Sequence, residues 1–274
     1  MKRIGCVKYL NTLPLIEGLA ANRDVELISA VPSKLGDMLA SGEVDVALVS
    51  MVDATRSAVP LAIVPSGGIG CDGPTLTVRV FSQVPPEKIT TLHVDTDSHT
   101  SVILAQVILA KRFGTRVKVV DFDARERVAV GAAGGAPINP GEWPEAVLMI
   151  GDKVVTDSPP AVRYPHQLDL GEEWKKLTGL PFVYAAWMCR AAEAGEPWVA
   201  PMADLLERQR LRNTMRTEWL ISRAVDERRW PRDLAIRYVT EYLRYEIGQK
   251  QRDGIERFFA EASGLGLLPA TRPV

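Results

Sequence analysis

Short apolar runs alternate with helical patterns through the first half of the chain. RIGCVKYL reads as a strand and PLIEGLAA as a helix. VELISAV is a second strand, followed by a helix from Ser33 to Gly42, with Ser33 as N-cap and Gly42 as stop. VDVALVS is a third strand. Strands this apolar, separated by helices, predict a parallel sheet covered on both faces.

The rhythm then changes. LAIVPSGGIGCDGP reads as a strand running into a glycine-rich loop, and TLTVRVFSQ alternates strictly. Its Thr75, Thr77 and Arg79 fall on one face, with Leu76, Val78 and Val80 on the other. A second strand–helix set follows: TLHVDTD, a helix from about Ser98 to Arg112, VKVVDF and EAVLMIGD. GAAGGAPINPGEWP, before the last of these, reads as a surface loop without periodicity. A second alternating strand, PFVYAAWMCR, comes next, and the rest is helical, with Pro231 near a helix start and a long amphipathic segment carrying Leu243, Ile247, Ile255 and Phe258.

Two α/β sets joined by two strands of different character predict two lobes, each a mostly parallel sheet flanked by helices, with the alternating strands as crossovers. The expected division is 1–74 for the first part of lobe 1, 75–183 for lobe 2, and 184–274 for the return to lobe 1 with its C-terminal helices. A single doubly wound sheet is the competing arrangement. In the two-lobed one, a ligand cleft faces the carboxyl ends of the strands.

Composition narrows the function. With 46% hydrophobic and 24% charged residues and a net charge of −1, the 274-residue chain has no general nucleic-acid or anionic-membrane surface. Its apolar runs fall short of the roughly 18 residues of a membrane span. MKRIGCVKYL lacks the pattern of a secretory signal, and three scattered cysteines (Cys6, Cys71, Cys189) read as small buried hydrophobes in a reducing compartment. The expected location is cytoplasmic.

The strand ends deliver polar residues to the cleft: Tyr9, Asn11 and Thr12, then Ser33, then Ser50. Ser98, Thr100 and Ser101 sit at a helix start, whose free N–H groups favour an anion without any lysine. Gly73, in GGIGCDGP, brings backbone close at little steric cost, and Asp152 ends another strand. Ordinary capping and turn formation account for each of these singly; their convergence in one cleft is what points to a site. No GxSxG, HExxH, P-loop or post-strand GxGxxG is present, and no clustered ligands suggest a metal. Of the three histidines, His93 lies in a strand, His166 in a loop, and His99 in the helix start.

YLNTLPLIEGL, IGCDGP, DTDSHTSV, VLMIGD and LGEEWKKLTGLPFVYAAW, in this order and joined by YVTEYLRYEIG near the end, resemble chorismate dehydratases of the futalosine route to menaquinone. The resemblance implies a type II periplasmic-binding-protein fold used as a cytoplasmic carbon–oxygen lyase, a hydro-lyase converting chorismate to 3-[(1-carboxyvinyl)oxy]benzoate and water. It implies catalytic roles for Asn11, the asparagine of YLN, and for Thr77, where the family more often has serine. Arg79 replaces an expected aliphatic residue, His99 a frequent arginine, and Lys8 is also unusual. No cofactor or metal is implied. The only expected partner is the small-molecule substrate, with no nucleic acid or membrane, and a monomer or homodimer as the assembly. Because the product is aromatic, a scaffold that fixes conformation and excludes water suffices, with a substrate carboxylate as base. Tyr9, Ser33, Ser50, Gly73, Ser98, Thr100, Ser101 and Asp152 would hold the substrate. Two rival readings are a transporter's solute-binding protein and the sister 1,4-dihydroxy-6-naphthoate synthase, which relies on a histidine base.

Overall fold

A computed structural model describes residues 1–95, 97–122 and 143–269. The expected glycine-rich surface loop lies, through residue 142, outside the described residues. The first sheet has the order β11-β4-β10-β3-β1-β2, from β1 (Lys2–Cys6), β2 (Val25–Ser29), β3 (Val46–Ser50), β4 (Leu61–Cys71), β10 (Phe182–Arg190) and β11 (Leu243–Arg244). The second has the order β7-β6-β8-β5-β9, from β5 (Val78–Ser82), β6 (Thr91–Asp95), β7 (Lys118–Phe122), β8 (Ala146–Ile150) and β9 (His166–Asp169). Two sheets, each with its own helices, make the two-lobed architecture.

Both sheets are mixed. β1 runs parallel to β2 and β3, and β6 parallel to β7 and β8. β10 is antiparallel to β3 and β4, and β5 antiparallel to β8 and β9. Parallel pairing requires a crossover that returns the chain to the same end of the sheet. β5 and β10 arrive directly from the other lobe, so they enter from the opposite end. Neither strand spans the lobes; the crossing backbone lies between Cys71 and Val78, and between Thr178 and Phe182.

Local chemistry explains several boundaries. PLIEGLAA breaks into α1 (Leu13–Ile16) and a 3-10 turn, because Glu17 is extended and Gly18 takes φ 85°. α2 (Pro32–Ala40) starts two residues early: Val31 is its N-cap in place of Ser33, which sits inside the first turn. Proline at the first helical position gives up no hydrogen bond there. GGIG belongs to β4 and is not a loop. A Cβ on Gly68 would lie 2.5 Å from the Ala185 carbonyl oxygen, and one on Gly70 2.5 Å from that of Phe182. Glycine is what lets β10 lie this close. The expected long amphipathic segment near the end is divided into a π-helical turn (Tyr238–Tyr242), β11 and the helix Gln249–Gly264.

One continuous apolar core runs through both lobes. It takes in Leu35, Val49 and Val52 from the first, Val80, Leu104 and Ala146 from the second, and Trp174, Phe182 and Phe258 between them. The helix Gln249–Gly264 carries Phe258, and its Glu261 pairs with Lys111 at 2.6 Å, on the helix His99–Phe113. This helix therefore clasps the two lobes together. Cys6, Cys71 and Cys189 are buried free thiols, and burial pushes Cys6 and Cys71 up to about 11. No helix among the described residues is long and apolar enough to cross a membrane.

Candidate active site

The turn after β1 aims the first polar side chain. Leu10–Thr12 forms one 3-10 turn, and the Thr12 hydroxyl lies 2.8 Å from both the Val7 and Tyr9 carbonyl oxygens. Thr12 is thereby consumed as a buried brace, while Asn11 faces the cleft. Asn11 Oδ1 is buried with no hydrogen-bond partner among the described residues. An unpaired buried amide oxygen costs about 1–3 kcal/mol, so a ligand donor is its natural partner.

The opposite wall comes from the first crossing. Leu76 has φ 71°, a left-handed backbone that a branched side chain rarely adopts. Asp169 holds this segment in place. Its carboxylate accepts the Thr75 N–H at 2.8 Å and the Leu76 N–H at 2.7 Å, and it also caps the helix Leu170–Thr178 through Gly171 and Glu172. Four N–H groups converge on one carboxylate, strong bonds because the acceptor is charged. The kink carries both Thr75 and Thr77 into the cleft. Thr75 bonds the Tyr184 hydroxyl at 2.8 Å, and Thr77 bonds the Tyr238 hydroxyl at 2.6 Å. The Thr77 carbonyl is fixed as well, accepting the Gly151 N–H at 2.9 Å.

Helix α4 (His99–Phe113) begins at the third wall. Ser98 is its N-cap, accepting the Ser101 N–H at 3.3 Å and donating to Ser101 Oγ at 3.0 Å. Both serines line the cleft, and no acidic residue lies in the first helical turn to oppose an anion. Beneath this start, Lys153 pairs with Asp95 and, at 3.2 Å, with Asp97.

The cleft has a volume of about 90 Å³. A single water needs roughly 10–15 Å³ on this measure, so it has room for several waters or one small ring. Apolar contacts come from Val7, Leu48, Ile69, Ile150 and Leu243. Among the described residues that line it there is no Asp, Glu, His, Lys, Arg or Cys. Its buried tyrosines, Tyr184 and Tyr238, are pushed far above the ordinary phenol range by burial, so they remain neutral.

Tyr9, Asn11, Ser50, Thr77, Ser98 and Ser101 line this cleft together. Ser33, Gly73, Thr100 and Asp152 do not; their neighbours Pro32, Thr75, Ser101 and Gly151 take those places. Thr100 is buried between the lobes, 2.7 Å from Ser50 Oγ, and accepts the Val52 N–H at 3.0 Å. Asp152 lies outside the lining, 3.7 Å from Arg228. Burial raises its pKa against the opposing pull of Arg228. Gly73, with φ 126°, shapes the crossing.

The three unusual residues also lie outside the lining. His99 Nδ1 pairs with the buried Asp53 of α3 (Met51–Arg56), across the lobes. Arg79 braces Asp169 at 3.5 Å and Gln167 at 3.1 Å. Lys8 is exposed, and its carbonyl accepts from Arg228 at 2.8 Å. Thr75, Tyr184 and Tyr238 are lining residues that sequence reasoning missed. Thr75 carried a signal through its shared face with Thr77, while Tyr184 and Tyr238 fall within the motifs LGEEWKKLTGLPFVYAAW and YVTEYLRYEIG without being singled out. No group of three or more potential His, Cys, Asp or Glu metal ligands occurs among the described residues.

Comparison with known proteins places this geometry in context. A sequence profile for menaquinone biosynthesis matches residues 2–263. A chorismate dehydratase of Thermus thermophilus is 26% identical over 284 residues, covering 98% of each chain. A crystal structure of an Archaeoglobus fulgidus protein superposes with a TM-score of 0.75 at 13% identity, over 97% of this chain and 98% of that one. A Candida albicans protein described as having the generic periplasmic-binding-protein fold gives a TM-score of 0.64 at 11% identity, over 99% and 92%. At such identities these structures speak for the fold alone, and they agree on a periplasmic-binding-protein-like architecture.

Proposed function

The chain belongs to the family of menaquinone-biosynthesis proteins, and from that premise we propose that it is a hydro-lyase converting chorismate to 3-[(1-carboxyvinyl)oxy]benzoate in the futalosine route. The observation that carries this reading is the chemistry of the cleft lining. It holds amide and hydroxyl groups beside a helix start, with no side chain among the described lining residues that takes or gives a proton readily near neutral pH. A dehydration performed there draws its base from the substrate, and a substrate with two carboxylates has one to offer. The histidine-dependent sister enzyme fits less well, because His99 is engaged with Asp53 outside the lining.

In this mechanism Ser98, Ser101 and the first turn of α4 hold a ring carboxylate. Asn11 and Thr77 face the reacting edge of the ring, and Tyr9 and Ser50 complete the polar wall. The enolpyruvyl carboxylate removes the ring hydrogen next to the carbon bearing the hydroxyl. The electron pair of that C–H bond moves into the ring, the C–O bond breaks, and the departing hydroxyl takes up the proton that the enolpyruvyl carboxylate has removed, leaving as water and restoring the carboxylate. Aromatisation drives the step forward. The apolar walls exclude bulk water, which strengthens every hydrogen bond to the developing charge. The lobe assignment we propose is 1–74 with 184–274 around 75–183, except that Phe182 and Val183 already pair with β4 of the first lobe, so that each lobe supplies part of the polar lining.

The test is direct. Purified protein mixed with chorismate should yield a product lighter by one water, read by mass spectrometry, with the ultraviolet spectrum of a substituted benzoate. Chorismate recovered unchanged would defeat the proposal.

A further inference from the structure

Ser50 ends β3 and stands in the N-cap position of α3, yet its side chain makes no capping bond. The Val52 N–H, at the second helical position where a capping oxygen ordinarily accepts, donates instead to Thr100 Oγ1 at 3.0 Å. Thr100 belongs to the first turn of α4, in the other lobe, and is 1% exposed. Ser50 Oγ lies 2.7 Å from the same Thr100 oxygen. Whichever hydroxyl donates in that contact, one oxygen holds both the end of β3 and the start of α3. His99, the residue before, pairs with Asp53 of α3, so the two helices meet start to start. Helix starts carry like partial charges. The Thr100 oxygen and the Asp53 carboxylate supply the negative charge that such a meeting needs.

This seam joins two polar walls of the cleft. Ser50 lines one, and Ser98 and Ser101, on either side of Thr100 in sequence, line the other, while Thr100 itself lies outside the lining. The apolar core shared by the lobes is non-directional, so it holds them together without fixing which atoms face each other. At the far end of α4 the tie to Glu261 comes from a Lys111 side chain that is 39% exposed, and ion pairs of that kind contribute little. The Thr100 hydroxyl is buried and directional, and it sits at the edge of the cleft. We propose that Thr100 is a positioning residue, a helix cap supplied across the lobes that sets the spacing between the Ser50 wall and the wall of Ser98 and Ser101. Its consequence for turnover rests on the dehydratase reading above; the spacing itself does not.

Thr100→Val keeps the branched shape and leaves the buried Val52 N–H without its acceptor; Thr100→Ser keeps the hydroxyl. We expect kcat/KM for chorismate dehydration to fall about ten- to hundredfold in the valine variant and to stay within about threefold in the serine variant. A second readout needs no turnover. Spin labels at Arg56→Cys on α3 and Gln106→Cys on α4 report the distance between the two helices by pulsed electron paramagnetic resonance, since the native cysteines are buried. That distance distribution should shift or broaden with Thr100→Val and keep its wild-type form with Thr100→Ser. A wild-type distribution in the valine variant, an unchanged kcat/KM, or a serine variant as impaired as the valine one would each overturn the proposal. If wild-type protein leaves chorismate unchanged, the dehydratase reading fails by itself, and the label distances alone decide the role of Thr100. If Thr100→Val does not fold, Ser50→Ala takes its place. It removes the other hydroxyl and leaves the Val52 N–H paired, so it should still alter the distribution, and an unaltered one would overturn the proposal.

Discussion

Replacing Gly171 by alanine drives a methyl group into the crossing segment. The added Cβ would lie 2.1 Å from Thr75 Oγ1, 2.5 Å from the Gly73 carbonyl oxygen and 2.6 Å from Cys71 Sγ. Carbon contacts settle near 3.5 Å or beyond, so the helix Leu170–Thr178 must retreat from the crossing by about 1 Å. Overpacking of this kind costs about 1–3 kcal/mol. The retreat also stretches the bonds from the Thr75 and Leu76 N–H groups to Asp169, and a hydrogen bond to a charged group is worth about 1.5–3 kcal/mol. With part of one such bond lost, the total is about 3–4 kcal/mol, or a Tm lower by about 6–15 °C. Thr75 and Thr77 move with the segment, and a displacement of about 1 Å at a reacting site can cost about a hundredfold in rate. Thermal denaturation and chorismate turnover measure the two effects. Gly195→Ala is the control, since nothing lies within 4 Å of its added Cβ, and it should melt within about 1 °C of wild type. A Gly171→Ala protein that melts like wild type would refute the close-packing account. One that melts early but turns over normally would refute the link from this helix to the cleft.

Asn11→Asp should leave a folded protein with almost no turnover, because it sets a negative charge beside a dianion; near-normal rates in steady-state assays would remove Asn11 from the mechanism. Thr77→Ser should be mild and Thr77→Val severe, by about tenfold or more in kcat, and equal tolerance of both would reduce Thr77 to packing. His99→Gln should keep kcat within about tenfold, since His99 pairs with Asp53 outside the cleft; a loss beyond about a hundredfold is the scale of a lost general base and would identify one. Burial raises the Asp152 pKa in the folded state, so folding is favoured by this group at acid pH and that contribution is lost as pH rises toward the folded pKa. Asp152→Asn keeps the size of the side chain and removes the titration. Its Tm relative to wild type should therefore be higher at about pH 7.5 than at about pH 4.5, and a difference independent of pH would refute the assignment.

Much of this protein follows from local pattern. Apolar runs such as Val46–Ser50 and Ala146–Ile150 are buried throughout their length, and that requirement is written in the residues themselves. Asn11 and Ser98 were legible for the same reason: a polar residue at a strand end or helix start has only a few places to go. Strand direction was not legible, because alternation in β5 and β10 says which face is buried and nothing about which end the chain enters from. The choice of Ser101 over Thr100 as a cleft residue was equally hidden. Adjacent helical residues point about 100° apart, and the rotation of α4 is set by its packing against the other lobe, where Thr100 meets Ser50. Tyr238 opens the motif YVTEYLRYEIG, yet nothing local marked its hydroxyl as a cleft group, since a tyrosine in a helical pattern reads as core. Only the folded chain, by bringing the π-helical turn against the first crossing, places its hydroxyl on Thr77. Sequence alone determined which residues had to be buried or capped; tertiary packing decided which polar atoms meet, because that depends on rigid-body placement of elements far apart in the chain.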